Sequence, residues 1–280
     1  MNENRNYKTY DEYLSSENIK KGGQYLKGKS KDKDIPLVSI ITICRNASLT
    51  LEKTIQSVIE QTYPNIEYII IDGDSTDGTL DMIKSHENHI DFWISEPDGG
   101  ATDAINKGFT ICNGELIFLL NADDYVTSDF ISNAVESFDE DCDFVFGDCL
   151  IGNFGGDYNR LLKGDKNYIK KIAYTMPRVN QPTIVFKKQC LDTVGLYDTA
   201  KKVAPDYDWL VRGYVKNITG KYTDKLVTYF ALDGNSDKYY YKGLSEVRES
   251  SLRYAGSIFM TNFYFIARCI KRMIKRYVLI

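Results

Sequence analysis

The stretch Leu37-Val38-Ser39-Ile40-Ile41-Thr42-Ile43 is a nearly continuous apolar, β-branched run. Such a run reads as a strand buried on both faces, which in water requires helices above and below it. The residues that follow supply them. Thr50–Gln61 places Leu51, Ile55, Val58 and Ile59 on one helical face and is stopped by Pro64. Ile66–Ile71 is a second buried strand, and a short helix is expected from Thr79. The alternation repeats as strand Ile90–Ser95, helix Ala101–Cys112, strand Glu115–Leu120, helix Ser128–Phe138 and strand Asp143–Phe146. This pattern predicts the α/β class: a doubly wound, mostly parallel central sheet with helices on both faces. Farther on the spacing is looser. It gives a Gly-rich turn at Asn153–Gly156, a strand at Gln181–Phe186, a helix at Tyr207–Tyr214 and a strand at Lys225–Leu232.

Ligands of open α/β sheets bind beyond the carboxyl ends of the strands. Here those ends carry Arg45-Asn46, Asp72-Gly73-Asp74, Ser95-Glu96-Pro97-Asp98-Gly99-Gly100 and Asn121-Ala122-Asp123-Asp124. Crowded carboxylates stay ionised only where a cation or hydrogen-bond donors neutralise them. Mg²⁺ and Mn²⁺ prefer oxygen ligands and are commonly shared with substrate phosphates. The four clusters together therefore point to a metal–diphosphate site, although any one of them alone could be a turn after a strand. A dinucleotide site is excluded, because residues 42–50 contain no glycine after the first strand. No GxxxxGK[ST] occurs, which excludes a P-loop. A net charge of -4 argues against a nucleic-acid partner. The six cysteines are scattered without a CxxC pair, so they read as buried thiols in a reducing compartment rather than as a zinc site. His86 and His89 read as a surface turn, and Trp93 and Trp209 as core.

The ordered motifs Gln61-Thr62-Tyr63-Pro64-Asn65-Ile66-Glu67-Tyr68-Ile69-Ile70-Ile71-Asp72-Gly73, Ser75-Thr76-Asp77-Gly78-Thr79, Ser95–Gly100, Asp103–Gly108 and Leu120–Asp124 resemble the inverting family 2 glycosyltransferases of bacterial surface polysaccharide biosynthesis. The resemblance covers about residues 36–232 and implies a GT-A fold. It implies a nucleotide-sugar half at 35–125 and an acceptor half at 126–232. The implied reaction moves a hexosyl or N-acetylhexosaminyl group from a nucleotide diphosphate-sugar, typically a UDP-sugar, to a hydroxyl of a glycan or lipid-linked saccharide. Thr42 and Arg45 match the loop beside the base, and Asp72 matches the carboxylate that reads it. Asp98, Gly99, Asp103, Asn106 and Lys107 match the donor-sugar region. Asp123 would face the ribose, and Asp124 would hold Mn²⁺ or Mg²⁺ against the diphosphate. Asn121 stands where many members have the first Asp. In Pro205-Asp206-Tyr207-Asp208-Trp209, Asp206 aligns with the catalytic base, and Asp208 is the weaker candidate. Asn180-Gln181 falls where relatives often have His-Gln.

The alternatives are a nucleotidyltransferase, which would usually carry a Gly-rich loop after strand one, and a non-catalytic binding module, which needs no base. Slow hydrolysis of a nucleotide-sugar with Mn²⁺ separates an enzyme from a module.

The flanks carry fewer signals. Residues 1–34 are polar and charged, with one helix expected through Tyr10–Tyr25, and read as a surface arm without chemistry. They contain no apolar signal-peptide core, and no stretch is apolar enough to span a bilayer. A cytoplasmic protein is expected. Residues 233–280 are expected to be helical, ending in a basic amphipathic helix. That helix, over 257–280, either lies on an anionic membrane surface at the inner face of the cell membrane or docks on the catalytic domain or a second copy of it.

Overall fold

Strand β2 (Val38–Cys44) runs parallel to β3 (Ile66–Asp72) on one side and to β5 (Leu116–Leu119) on the other, and β3 runs parallel to β4 (Phe92–Ser95). These strands belong to a computed structural model that describes residues 7–27, 34–153, 156–231 and 238–278, with side chains of the last helix as far as residue 274. Successive side chains of a strand point to opposite faces. Val38, Ile40, Tyr68, Ile70 and Trp93 accordingly join one core layer, with Leu51, Ile55 and Val58 of α2 (Leu51–Ile59) and Ile83 of α3 (Thr79–Ser85). Ile41, Ile69, Ile71, Phe92 and Ile94 join the other, with Ala104, Ile105 and Phe109 of α4 (Ala101–Ile111). Gly108 lets α4 lie close on the sheet, since a Cβ there would sit 2.5 Å from Cγ2 of Ile41. The fold is the expected GT-A type α/β architecture.

Past β5 the strand directions change. The sheet continues through β9 (Val185–Lys187), β7 (Phe144–Gly152), β10 (Gly220–Ala231) and β6 (Tyr125–Val126), and β8 (Tyr158–Leu162) pairs with β7. β9 is antiparallel to both β5 and β7, whereas β7 and β10 are parallel. Helix α5 (Phe130–Ser137) packs on β10. Short helices α6 (Ile169–Ile172) and α7 (Gln189–Val194) precede α8 (Pro205–Val215). The strand expected over Gln181–Phe186 starts later. Gln181–Thr183 is a 3₁₀ turn. Pro182 lacks an N–H, and the Thr183 hydroxyl donates to Asn180 O at 2.7 Å while accepting from Gly147 N at 2.9 Å. Leu232 and part of the Asn153–Gly156 turn lie outside the described residues.

The N-terminal arm departs most from expectation. Its helix, α1 (Tyr10–Ser15), is closed by a capping box between Thr9 and Glu12 and ends at Ser16. Strand β1 (Lys20–Gly22) then adds antiparallel to β4, and Gly23 turns the chain at φ +114°. Tyr13 is 2% exposed within the α4-side core, and Tyr10 meets Phe92 edge-on at 4.8 Å. The arm is thus part of the sheet and its core, not a surface appendage. Tyrosines carry it: their rings bury apolar area while their hydroxyls keep polar partners.

The C-terminal segment forms two helices, α9 (Tyr240–Tyr254) and α10 (Ile258–Val278); residues 279–280 lie outside the described residues. Among the described residues no helix is long and apolar enough to cross a membrane.

Candidate active site

A cavity of about 820 Å³ opens beyond the carboxyl ends of β2 and β5. That volume suits a ligand of nucleotide-sugar size, since small-molecule sites run roughly 300–1,000 Å³. Its walls come from Ile43–Ala47 after β2, the first turn of α4, Asn121–Asp123, residues 176–182, the start of α8, and Arg268 of α10.

The two adjacent aspartates after β5 face different ways. Asp123 lines the cavity, and burial raises its carboxyl above the usual range. Asp124 is fully buried off the cavity wall. Its Oδ1 accepts from Ala231 N at 3.1 Å and its Oδ2 from Asn121 Nδ2 at 3.0 Å. Burial first, then the charge of Asp123, pushes the Asp124 carboxyl well above the usual carboxylate range. The expected assignment, metal at Asp124 and ribose at Asp123, does not match this placement. Asp124 ties the β5 end to the β10 end, and Asp123 is the carboxylate a bound ion could reach.

Helix α8 separates its own pair of carboxylates. Asp206, in the first turn, lines the cavity; it is reachable from it yet enclosed by protein, and burial pushes its pKa up to about 6. Asp208 is fully buried, accepting from Arg212 Nε at 2.8 Å and Ser250 Oγ at 2.6 Å. Only Asp206 is available to a ligand. Trp209, 2% exposed, donates to Gly195 O at 2.9 Å and packs against Phe186 and Tyr197, so it is core. Trp93 is likewise core at 3% exposure.

Of the residues expected around the donor, Arg45 and Asp123 line the cavity. The others brace the loops beside it. Thr42 is buried and accepts from Tyr68 OH at 3.2 Å. Asp72 is buried and accepts from Ser75 N at 3.0 Å, Ser75 Oγ at 2.5 Å and Ser95 Oγ at 2.7 Å. A base reading through Asp72 would have to displace one of these serines. Asp98 accepts from Gly100 N at 2.8 Å and leans on Gly73, next to Arg45. Asp103 accepts from Gly99 N at 2.8 Å and Tyr7 OH at 2.9 Å. Lys107 pairs with Glu96 at 2.8 Å and donates to Pro97 O at 3.1 Å. Asn106 grips both backbone groups of Tyr197 at 2.9 Å. Asp103, Asn106 and Lys107 are therefore clamps on the Glu96–Gly100 loop and on Tyr197, not cavity-facing groups. The clamp extends to the arm, where Tyr13 OH donates to Glu96 at 2.9 Å.

The cavity also gathers cations that the sequence reading did not pick out: Arg178, Lys202 and Arg268. Lys202 donates to Gly99 O at 3.2 Å, and Arg268 donates to Met176 O at 2.5 Å. No motif flags them, because they come from three separate segments.

The sequence profile named Glycosyl transferase family 2 matches residues 39–194, more than half of the chain. The chain belongs to glycosyl transferase family 2. An uncharacterized glycosyltransferase of Mycobacterium tuberculosis (strain ATCC 25618 / H37Rv), Rv1514c, is 41% identical over 104 residues, which are 36% of this chain and 40% of that relative's length. A PGL/p-HBAD biosynthesis glycosyltransferase of Mycobacterium bovis (strain BCG / Pasteur 1173P2) is 25% identical over 183 residues, covering 63% of this chain and 69% of the relative. Among solved structures, S. aureus TarS 1-349 in complex with UDP-GlcNAc aligns with a TM-score of 0.60 at 17% identity, over 76% of this chain and 66% of that one. Mannosyltransferase PcManGT from Pyrobaculum calidifontis, in complex with GDP-Man and Mn²⁺, aligns with a TM-score of 0.63 at 18% identity, over 88% and 74%. At such identities these two show a shared fold.

Proposed function

We propose that this family 2 member transfers a sugar from a nucleotide diphosphate-sugar, a UDP-sugar on its sequence motifs, to a hydroxyl of a glycan or lipid-linked saccharide, inverting the anomeric centre. One observation carries the reading. Asp123 and Asp206, carboxylates from the two halves of the chain, face a single cavity whose wall also holds Arg45, Arg178, Lys202 and Arg268. The nucleotide-sugars bound to two proteins of the same fold support it.

The residues fit a divalent ion of a particular kind. Asp123 lies on the cavity wall, while the Asp124 carboxylate is taken up by Ala231 and Asn121. Among the described residues no group of three or more potential ligands forms a closed metal cage. A site with one carboxylate suits Mg²⁺ or Mn²⁺ held mostly through substrate phosphates. Asp123 would hold it, and the ion would supply charge neutralisation for the departing diphosphate. The arginines add fork-shaped donors suited to phosphate oxygens.

Asp206 takes the proton from the attacking acceptor hydroxyl. With a pKa of about 6 it is mostly ionised at neutral pH yet a stronger base than an ordinary carboxylate, which is the poise general base catalysis favours. Holding donor and acceptor together in one cavity supplies the alignment.

The test pairs calorimetry with a transfer assay. Asp206→Asn should bind a UDP-sugar with Mn²⁺ as the parent does and lose turnover by roughly 10²-fold or more, the usual range for a general base. Full turnover in that variant would overturn the assignment, and absence of donor hydrolysis by the parent chain would favour a binding module.

A further inference from the structure

Helix α10 is held firmly on one side only. Its inner face carries Thr261, 1% exposed, whose hydroxyl lies 2.8 Å from Ser251 Oγ. Arg268, two turns farther along that face, reaches Met176 O and the cavity. Asn262 accepts from Arg248 of α9 at 2.7 Å. The opposite face is a continuous apolar stripe: Ile258, Phe259, Phe263, Ile266, Ile270, Met273 and Ile274 are 45–78% exposed. Positions 259, 263, 266, 270 and 273 recur at helical spacing, so these side chains form one band along the helix. Exposed apolar bands of this extent mark contact surfaces.

Charge decides what makes the contact. The helix sequence contains Arg268, Lys271, Arg272, Lys275 and Arg276 and no acidic residue, in a chain whose net charge is -4. A second copy seated through the same band would offer these cations no carboxylate from the helix, whereas an anionic lipid surface offers phosphates. Crossing a bilayer is ruled out for this helix by its charge content. An apolar band with phenylalanines at its amino-terminal end and the exposed Lys271 at its edge, on a helix whose charged residues are all basic, matches a helix lying in the interface of an anionic lipid surface.

We propose that α10 docks this protein flat on anionic membranes, with Phe259, Phe263, Ile266 and Ile270 entering the acyl boundary and the exposed Lys271 beside them meeting the headgroups. Because Arg268 projects from the other side of the same helix, docking holds the cavity within about one helix diameter (~10 Å) of the lipid surface. The proposal makes no use of the reaction assigned above and can fail or hold without it.

The test uses the full chain with vesicles of phosphatidylcholine alone or mixed with phosphatidylglycerol. Co-sedimentation with the mixed vesicles only, weakened by salt, is expected. The double variant Phe259→Glu/Phe263→Glu should lose roughly tenfold or more of that binding, because each change removes a large apolar side chain from the interface and adds a like charge. Both positions are exposed, so its melting temperature should stay that of the parent. As a second measurement, Phe263→Trp should show a blue-shifted emission on adding the mixed vesicles. No binding to mixed vesicles, equal binding by the double variant, or a dimer in the absence of lipid that the double variant dissociates would overturn the proposal. The last of these would assign the band to a second copy.

Discussion

Asp206 is held at its raised pKa chiefly by burial, and that has two consequences with opposite signs. Its folded-state pKa of about 6 lies above the ordinary 3.8, so the folded chain holds this proton more tightly than the unfolded chain. The group therefore adds stability below pH ~4, and that contribution is lost as pH rises through about 6. Asp206→Asn should then be more stable than the parent at pH 7–8, by about 1–3 kcal/mol. The gap should close toward pH 4, as read from melting curves across pH. Turnover of the parent should fall below about pH 6, as the base becomes protonated. A variant that gains no stability at neutral pH would show that Asp206 is not a buried charge. The adjacent aspartates divide in the same way. Asp123→Ala should remove the benefit of Mn²⁺ for nucleotide binding in calorimetry and, because burial raises the Asp123 carboxyl too, should not lower the melting temperature at neutral pH. Asp124→Ala leaves Ala231 N–H and the Asn121 amide without their acceptor and should cost about 2–4 kcal/mol. If instead Asp123→Ala bound nucleotide more tightly with Mn²⁺ than without, the ion would lie elsewhere.

At the level of elements, the start of α8 depends on a helix remote in sequence. Glu246 of α9, 7% exposed, accepts from the backbone amides of Lys202 at 3.1 Å, Val203 at 2.9 Å and Ala204 at 2.9 Å. These residues run directly into Pro205 and Asp206, so Glu246 positions the residue proposed above as the base. Its charge also contributes, least among the causes, to the raised pKa of Asp206. Glu246→Gln keeps the shape, but its amide N–H would face one of the three backbone donors. Turnover should fall while donor affinity holds, and the acid limb of the pH profile should move to lower pH, a shift that a purely structural defect would not produce. The contrast between α9 and the first four parallel strands shows what a sequence can display. β2 through β5 and α2 through α4 announce themselves, because strand and helix periods follow each other locally and each strand is apolar on both faces. Asp206 was legible for a similar reason, since it sits in a compact acidic motif. Arg178, Lys202, Arg268 and Glu246 were not, because only tertiary packing brings them together. Asp103, Asn106 and Lys107 were legible as a motif, and in the structure they hold the Glu96–Gly100 loop and Tyr197 rather than lining the cavity. The arm was misread because tyrosines, not aliphatics, bury it.

Over the whole molecule, the terminal segments pack into the same structure as the central domain. The division into an arm, a domain at 35–232 and a helical tail follows sequence composition, but the contacts run across it. Ser250 supports Asp208, Ser251 donates to Ala173 O, Lys201 pairs with Glu249 at 2.9 Å, Arg268 reaches Met176, and Leu244 and Val247 are each 6% exposed. At the other end, Tyr7 and Tyr13 donate to Asp103 and Glu96. Ending the chain after residue 237 would strip the amides at 202–204 of their carboxylate and uncover the side of α8 that α9 covers. Two buried aliphatic side chains and several buried hydrogen bonds are worth on the order of 5 kcal/mol together. That equals much of the stability of a typical domain, about 5–15 kcal/mol. The truncated chain should therefore melt far below the full chain or fail to fold, and the full chain should unfold in one transition by circular dichroism and by tryptophan emission alike, since Trp93 and Trp209 sit in different core layers. A truncated chain that melted at the parent temperature would instead make the tail an appendage. It would also leave the placement of Asp206 to the β-sheet half alone, which the three amide contacts of Glu246 argue against.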